Sequence, residues 1–503
     1  MIEAVDLTDL ITKRAHATPN AVMLVDQDER TLSFAEYFED VQRAAAGLAA
    51  HGIGEGDVVS WQLPTWIESF VLVGALARLG AVQNPILPIY REREVGFVCR
   101  QAKTKLLVVP SEWRGFDFYA MAKGIGGVDV LTCDKELPGG DPSLLLPPPA
   151  DQDDPVRWLF YTSGTTADPK GAQHTDATIM ATAIAMDERI ALGAEDHSGL
   201  VFPFTHIGGI TWLFSTLLEG CRTILVEAFD PVATPPVLAR EGVTLAGSGT
   251  TFHMAYLAAQ RARPDTQLFP RVRAFPGGGA PKPPQLHYDL KNEVGGVGIV
   301  SGYGLTEAPI IAMASVTDTD EALAETEGRA TRGVQLRAVT LEGKVAGIGE
   351  EGEIRAKAPQ LMKGYLDPAL DADAFDEDGW FRTGDLGVID AEGNVRITGR
   401  LKDIIIRKGE NISAKEVEDL LFTHDQIADV AVIGLPDAAA GEIACAVIVP
   451  AGDARVDLAA IGAFLTGKGL MIQKVPERVE YVDALPRNPT GKVLKHELRS
   501  RYS

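Results

Sequence analysis

Hydrophobic residues form two kinds of pattern along the chain. A regular spacing predicts helices, and short continuous runs predict strands. In residues 31–51 they recur every three or four positions, which predicts an amphipathic helix. The positions concerned are Phe34, Tyr37, Val41, Ala44 and Leu48. Short apolar runs alternate with helical stretches, as in VVSWQL at 58–63, KLLVVP at 105–110 and TILVEA at 223–228. Buried strands that alternate with helices are typical of a mostly parallel sheet covered on both faces, so we predict an α/β fold.

The pattern changes twice along the 503 residues, a length too great for one hydrophobic core. Residues 137–155 are rich in Pro, Gly and Asp, which predicts a surface linker between subdomains. From about residue 330, short β-like pieces are separated by Gly and Asp turns, and the tail alternates strands with helices. We therefore predict a large α/β domain of several subdomains, residues 1–401, and a small α+β domain, residues 402–503.

The charge balance restricts the partners of the protein. Asp and Glu number 70 against 47 Lys and Arg, for a formal net charge of −23. A surface this acidic repels phosphate backbones and anionic lipids, so nucleic acid and membrane surfaces are not expected partners. An anionic ligand would need local cations, a metal ion or backbone N–H groups.

The cysteines and the apolar stretches indicate where the protein resides. The four cysteines contain no CxxC pair and no zinc spacing with histidines, so we expect buried, reduced thiols. The N-terminus lacks the basic and apolar regions of a secretory signal. The most apolar helical stretch, residues 70–82, is interrupted by Arg78 and is too short to span a bilayer. We predict a cytoplasmic protein without an integral membrane segment.

The strongest local motif is YTSGTTADPKG at 161–171, which directly follows the strand-like RWLF. Small hydroxyl residues and a glycine let the backbone approach a phosphate closely, and Lys170 supplies a positive charge. The P-loop NTPase pattern differs, because it has a Gly before the Lys and a Ser or Thr after it. We predict a phosphate-binding loop formed by Thr162, Ser163, Gly164, Thr165, Thr166 and Lys170.

This string resembles the phosphate-binding loop of the adenylate-forming superfamily, which includes acyl-CoA synthetases, aryl-CoA ligases, luciferases and peptide-synthetase adenylation domains. Further stretches resemble the family's other motifs and follow in the family's order. They are FPGGGAP at 275–281, GYGLTE at 302–307, GWFRTGDLG at 379–387, TGRLKD at 398–403, RKGENI at 407–412 and PRNPTGK at 486–492. Residues 1–157 are compatible with the family's N-terminal lobe but carry no diagnostic motif.

The resemblance implies adenylation, in which a carboxylate and MgATP give an acyl-AMP and pyrophosphate. It places Tyr303 on the adenine, Asp385 and Arg400 at the ribose, and Thr306 at the α-phosphate. It assigns magnesium to Glu307 and Thr166, and it makes Lys492, Thr306 and Glu307 the catalytic residues. Lys492 would bridge the substrate carboxylate and the α-phosphate. The glycine-rich turns would allow close approach to the planar base; their residues are Gly278, Gly279, Ala280, Gly302 and Gly304.

The resemblance also implies a second step in which CoA takes the acyl group. The small C-terminal domain of the family is a mobile lid, and Lys402 lies at the position of its hinge. Lys408, Gly409 and Glu410 resemble the loop that lines the pantetheine tunnel. The expected substrates and cofactors are therefore ATP, Mg²⁺ and CoA. Two departures from the family pattern are Ala167, where Gly is common, and Ser413-Ala-Lys415, where an aromatic–Pro pair is common.

The segment VFPFTHIGG at 201–209 resembles the acyl-pocket segment of acyl-CoA synthetases, with His206 as the gate beside the acyl carboxylate. Thr205 stands where an aromatic residue is usual and where amino-acid-activating relatives place an Asp, which argues against an amino-acid substrate. The predicted pocket residues are Thr205, His206, Gly209, Trp212 and Gly279. We expect an apolar monocarboxylic acid, of fatty, alicyclic or similar bulky type.

Two other readings remain open. One is an acyl-AMP ligase that loads a separate carrier protein; relatives of that type carry an insertion near the domain junction, and the compact run from Asp385 to Lys408 has none. The other is a catalytically idle binding protein that retains the fold, against which the intact charged motif residues argue. The sequence does not fix the oligomeric state, and a homodimer is compatible with it.

Overall fold

The computed structural model describes residues 1–149, 153–162, 169–279, 282–407, 410–437, 440–452, 455–488 and 491–503, with side chains for all of these except Glu410. Within this part the α-helices are Leu7–Ala17, Phe34–Ala50, Ile67–Arg78, Glu92–Ala102, Phe118–Ile125, Asp176–Ile190, Ile207–Glu219, Thr234–Arg240, Thr250–Arg261, Pro284–Asp289, Asp320–Glu325, Asp371–Ala374, Ala414–Leu421, Leu458–Gly467 and Lys495–Tyr502. Short 3₁₀ turns lie at Pro142–Leu144, Pro368–Leu370, Leu401–Asp403 and Ile472–Lys474, and a π-helical turn at Leu290–Val294.

Two mostly parallel sheets form the first half of the protein, as predicted. One has the spatial order Leu245–Ala246, His197–Leu200, Arg222–Leu225, Val22–Asp26 and Thr31–Ser33. The other has the order Lys170–His174, Trp158–Thr162, Val82–Pro85, Val58–Trp61, Leu106–Val109 and Asp129–Thr132. In each, only the pairing at one edge is antiparallel. A small hairpin, Glu112–Trp113 with Phe116–Asp117, lies beside them.

Two further sheets complete the large domain and carry the motifs at 275–307 and 379–400. The first has the order Phe275–Gly278, Ile299–Tyr303, Ala312–Met313 and Arg329–Ala330. The second is antiparallel, in the order Gln335–Val339, Glu351–Lys357, Phe381–Ile389 and Val395–Arg400. The small domain has its own sheet, in the order Glu410–Ser413, Ile404–Arg407, Gly441–Pro450 and Ile427–Asp437, with Arg478–Tyr481 paired to Gly441–Pro450.

The predicted amphipathic helix is confirmed as Phe34–Ala50, and its five periodic apolar residues are buried. It begins at Ser33, whose side chain accepts the Glu36 N–H in a capping box. Gly140, near the start of the predicted linker, donates its N–H to Arg43 O and packs against this helix. A Cβ at Gly140 would lie 2.6 Å from the carbonyl carbon of Ala46, so this close packing requires glycine.

The hydrophobic cores divide near the predicted domain boundary. The core residues of the small domain begin at Ile405 and end at Leu498, and the cores of the large domain end at Val395. This separation supports the boundary at 401/402, which stays a prediction. The cysteines are all free and buried, as expected. Within the described ranges, every helix is too short or too polar to cross a lipid bilayer.

Candidate active site

Glycines line the place where two parallel strands end side by side. Gly278 and Gly302 are register partners on Phe275–Gly278 and Ile299–Tyr303. A Cβ at Gly278 would lie 2.6 Å from the Gly302 carbonyl oxygen, and one at Gly304 would lie 2.3 Å from the Ile310 nitrogen. Gly279 has a φ of +74°, which a residue with a side chain rarely adopts. Gly278 and Gly304 therefore allow close packing of backbone on backbone, whereas a Cβ at Gly279 would meet no atom of the described residues within 4 Å, so a flat ligand can approach the backbone there.

Beside these glycines the buried Asp385 carboxylate forms an ion pair with Arg400 and accepts a hydrogen bond from Tyr303. Asp385 and Arg400 are register partners on adjacent antiparallel strands, and the Arg400 Nε lies 2.9 Å from Asp385 Oδ1. The Tyr303 hydroxyl donates to Asp385 Oδ2 at 2.9 Å. Burial and the Asp385 carboxylate raise the pKa of the Tyr303 phenol, so it stays a donor. The carboxylate is thereby held in one orientation, as the predicted contact with a ribose diol requires.

Glu307, Tyr365 and Lys170 form a second group on the cavity wall. The Tyr365 hydroxyl donates to Glu307 Oε1 at 2.7 Å, and the Lys170 ammonium lies 5.3 Å from the centre of the Tyr365 ring. Glu307 is 8% exposed. Within the described part of the chain, Glu307 Oε2 has no hydrogen-bond partner and Lys170 has no ion-pair partner. One carboxylate oxygen and one ammonium therefore remain available to a ligand.

These residues fit a magnesium ion that arrives with phosphates. No group of three or more His, Cys, Asp and Glu side chains among the described residues is placed to hold a metal ion on its own. Magnesium commonly binds through one or two carboxylates plus substrate phosphates and water. Glu307, with its free oxygen, offers that kind of ligand; Thr166, the second predicted ligand, lies outside the described residues.

His174 connects the strand after the phosphate loop to the Thr306–Glu307 turn. Its Nε2 lies 2.9 Å from the Thr306 carbonyl oxygen, and its Nδ1 lies 3.0 Å from Thr178 Oγ1. Burial lowers the pKa of His174 to about 4, so the ring is neutral at physiological pH. A neutral ring whose Nε2–H donates to Thr306 O fits both contacts. The ring thus fixes the backbone that carries Thr306.

Lys492 reaches the same cavity from the small domain. It lines the cavity together with Asp385, Arg400 and Lys402. Burial and the positive charges of Arg400 and Lys402 lower the pKa of Lys492 to about 8, although Asp385 and Asp403 act in the opposite direction. The backbone N–H of Lys492 donates to Asn488 Oδ1 at 2.9 Å, and Lys492 O accepts the Asn488 N–H at 2.9 Å.

Lys402 lies between the two domains, in the 3₁₀ turn Leu401–Asp403 that joins the last strand of the large domain to the first of the small one. Burial and Arg400 lower its pKa. The Arg499 guanidinium holds Asp403 at 2.8 Å, and Ser413 Oγ donates to Thr398 O at 2.5 Å. Of these two contacts only the one between Ser413 and Thr398 joins the two predicted domains, since Asp403 and Arg499 both belong to residues 402–503. The role of Lys402 as the hinge stays a prediction.

A cavity of about 680 Å³ is lined by Thr162, by charged residues such as Lys170 and Asp385, and by a set of uncharged residues that we call its apolar end. Described residues at the apolar end are Leu87, Met186, Phe202, His206, Ile207, Gly208, Thr211, Trp212, Ser248, Phe252 and Pro276. Of the predicted pocket residues, His206, Trp212 and Gly279 line this cavity.

Thr205 and Gly209 are not among the described residues that line the main cavity. Thr205 is buried behind His206, where it lines a void of about 20 Å³. Gly209 serves packing, because a Cβ there would lie 2.5 Å from the Phe204 carbonyl oxygen. Gly208 and Thr211 of the same helix, Ile207–Glu219, line the cavity instead of Gly209.

Several predicted site residues lie outside the described residues: Ser163, Gly164, Thr165, Thr166, Ala280, Lys408 and Gly409. Glu410 is placed only as backbone, in the strand Glu410–Ser413. Sequence reasoning missed Tyr365 and His174. Tyr365 follows Lys363 and Gly364 and belongs to none of the motifs named above. His174 lies just beyond the end of the phosphate-loop motif.

Comparison with known proteins shows the family to which the chain belongs. Residues 11–366 match the family described as AMP-binding enzyme, and residues 416–492 match the AMP-binding enzyme C-terminal domain. The chain is 31% identical to the medium-chain fatty-acid–CoA ligase of Escherichia coli strain K12, over 98% of this chain and 90% of that protein. It is 32% identical to feruloyl-CoA synthase of an Amycolatopsis species, over 97% and 98%. It is 31% identical to sulfoacetate–CoA ligase of Cupriavidus necator, over 98% and 97%.

Solved structures extend the agreement to three dimensions. ATP-bound MatB from Rhodopseudomonas palustris superposes with a TM-score of 0.89 at 29% identity, covering 99% of both chains. Apo MatB from the same organism gives a TM-score of 0.78 at 28% identity, again over 99% of both. The fold is therefore that of adenylating enzymes. The chain belongs to the AMP-binding enzyme family, as an ATP-binding member of its AMP-forming acid–CoA ligase branch.

Proposed function

We propose that this ligase activates an apolar monocarboxylic acid, of fatty, alicyclic or similar bulky type, and transfers the acyl group to CoA. The observation that carries the proposal is the composition of the cavity. The described lining residues from Met186 to Thr306 in the sequence include no Lys, Arg, Asp or Glu. The charged residues among the other described lining residues are Lys170, Glu307, Glu353, Asp373, Arg382, Asp385, Arg400, Lys402 and Lys492. A second carboxylate or an ammonium on the acid would lose its hydration at the apolar end without a charged partner.

His206 supplies a neutral hydrogen-bond donor between the two ends. Its Nδ1 accepts the Gly208 N–H at 3.1 Å, which leaves the proton of the neutral ring on Nε2. Burial lowers the pKa of His206 to about 4, so the ring stays uncharged at neutral pH. We place the acyl carboxylate between His206 and Lys492, where one oxygen can accept from each.

In the first half-reaction an oxygen of the acid attacks the α-phosphorus of ATP, and pyrophosphate leaves with the electrons of the broken P–O bond. Lys492 offsets the negative charge where the carboxylate and the α-phosphate approach each other. Lys170 and the backbone of the loop at Thr162 hold the phosphates, and Asp385 and Arg400 hold the ribose. Glu307, with Thr166, would bind the magnesium ion, which supplies neutralisation of the phosphate charge.

In the second half-reaction the CoA thiol attacks the acyl carbon, AMP leaves, and the thiol proton is released. The higher TM-score with ATP-bound than with apo MatB supports an ATP-binding arrangement of the two domains here, with Lys492 in the cavity. We propose that the small domain then turns about Lys402 and brings the loop of Lys408, Gly409 and Glu410 to the cavity. Such a motion needs only a few hinge residues.

Matched pairs of acids test the proposal. Pyrophosphate release and thioester formation are measured with octanoate against octanedioate, and with 3-phenylpropanoate against phenylalanine, each with and without CoA. We expect turnover of one or both monoacids, dependence on CoA, and a loss of at least about 100-fold in kcat/KM for the charged partner. Equal turnover of octanedioate or phenylalanine would contradict the apolar pocket. Pyrophosphate release that CoA does not accelerate would contradict CoA as acceptor and favour a carrier protein.

A further inference from the structure

Tyr365 is built into the edge of the strand that follows the phosphate loop. It forms an antiparallel bridge with Ala172, and the next residue, Leu366, donates its N–H to Gly171 O at 2.8 Å. The Gln173 side-chain amide donates to Tyr365 O at 3.0 Å. The backbone of Tyr365 is therefore fixed to the strand Lys170–His174 on both sides.

The side chain of Tyr365 lies between two groups of opposite charge. Its hydroxyl donates to Glu307 Oε1, and its ring face carries the Lys170 ammonium. The ring is 5% exposed, and the backbone near it is tied to Glu307 as well, since Met362 N–H donates to Glu307 O at 2.8 Å. The hydroxyl of Tyr365 thus contacts the Glu307 carboxylate, and its ring contacts the Lys170 ammonium.

Lys170 and Glu307 carry opposite charges, line the same cavity and both contact Tyr365. In the described residues Glu307 takes its hydrogen bond from a phenol, and Lys170 rests on an aromatic face. A phenol leaves the full negative charge of the carboxylate in place, and a cation–π contact leaves the ammonium positive and open to a phosphate. A direct ion pair would neutralise both groups before ATP arrives.

We propose that Tyr365 is a positioning residue that keeps Lys170 and Glu307 apart, so that the ammonium is reserved for phosphate and the carboxylate for magnesium. The hydroxyl orients the carboxylate, and the ring holds the ammonium. This inference rests on the proposed roles of Lys170 and Glu307 in binding MgATP.

Two substitutions separate the two parts of the side chain. Tyr365→Phe removes only the hydroxyl, so ATP binding without magnesium should be unchanged while the apparent affinity for Mg²⁺ in the ATP complex falls about tenfold. Tyr365→Leu also removes the ring, so Lys170 should pair with Glu307 and magnesium-free ATP binding should weaken about tenfold as well. Both constants are measured by titration calorimetry of ATP into the full-length enzyme, in EDTA and over a series of MgCl₂ concentrations.

The Glu307→Gln background distinguishes this role from a general loss of packing. A neutral amide does not compete for the Lys170 charge, so Tyr365→Leu should no longer weaken magnesium-free ATP binding there. An undiminished effect in that background would overturn the inference. Tyr37→Phe is the matched control, because it removes a buried phenol hydrogen bond to Phe70 O, 3.0 Å long, outside the candidate site. It should lower the melting temperature without changing either binding constant.

The outcomes also separate this inference from the proposed function. If Glu307→Gln leaves the Mg²⁺ dependence of ATP binding unchanged, the proposed role of Glu307 fails, and with it the basis for Tyr365. If Glu307→Gln weakens the Mg²⁺ response but Tyr365→Phe does not, only the inference about Tyr365 is overturned. If Tyr365→Leu does not fold, the Mg²⁺ series with Tyr365→Phe decides alone, since that substitution preserves the ring.

Discussion

The pH dependence of adenylation tests the role of Lys492 through a quantity that the structure supplies. Burial and the nearby Arg400 and Lys402 lower the pKa of Lys492 to about 8. The proposed chemistry needs the charged ammonium, so kcat/KM for pyrophosphate release should fall as the pH rises through about 8. With that pKa, roughly nine-tenths of Lys492 is protonated at pH 7 and roughly one-tenth at pH 9, a fall of about tenfold.

Bound ATP should move the pH at which activity falls to a higher value. Its phosphates are negative charges close to Lys492, and an opposite charge favours the protonated form. The pH profile of kcat at saturating ATP should therefore stay level to a higher pH than the profile of kcat/KM, which reports the free enzyme. The assay is coupled pyrophosphate detection from pH 6.5 to 10 at saturating acid.

Three variants identify the titrating group. Lys492→Arg stays charged, so its residual activity should show no fall near pH 8. Lys402→Met removes a like charge and should shift the limit upward, whereas Lys123→Met, on the surface helix Phe118–Ile125, should leave it in place. The assignment would be refuted if kcat/KM of Lys492→Arg still fell near pH 8, or if Lys402→Met left the pH of the fall unchanged.

Three further substitutions have defined outcomes. Asp385→Asn removes the carboxylate that orders Tyr303 and should weaken ATP binding by tenfold or more, roughly 1.5–3 kcal/mol in titration calorimetry; unchanged affinity would contradict the ribose contact. Asp187 is 2% exposed, and burial raises the pKa of its carboxyl group in the folded protein. The protein therefore loses stability as the pH rises from the pKa of Asp187 in the unfolded chain, near 4, toward the higher pKa in the folded protein. Asp187→Asn should therefore raise the melting temperature at pH 7.5 and leave it unchanged or lower at pH 4, and a lower value at both would contradict this. Gly209→Ala places a Cβ 2.5 Å from Phe204 O and should destabilise the enzyme by about 1–3 kcal/mol in urea unfolding; an unaffected midpoint would show that the helix start can shift freely.

The predicted site residues that the structure brings together lie in contiguous motifs. Asp385 and Arg400 sit in two strands that neighbour each other in sequence, so the hairpin alone brings them together. Tyr303 is the last residue of one strand, and Thr306 and Glu307 follow it within four positions. A local string of residues is enough to recognise such a group, because its geometry depends on one connection.

The residues that were missed depend on long-range packing. Tyr365 meets Glu307 across 58 positions, and His174 meets Thr306 across 132. The spacing of residues along the chain carries no sign of either contact. The pocket prediction failed to separate Gly208 from Gly209 for a similar reason, since which of two adjacent glycines faces the cavity depends on the rotation of the helix Ile207–Glu219.

The separation of the two half-reactions in Lys492→Ala tests the central claim most directly. Acyl-AMP formation from acid and MgATP, and thioester formation from supplied acyl-AMP and CoA, are measured on the same preparation. The account predicts that the first rate falls by about 100-fold or more and that the second stays within about threefold of the wild-type rate. Equal loss of both rates, or an unimpaired first step, would contradict the assignment of Lys492 to adenylation.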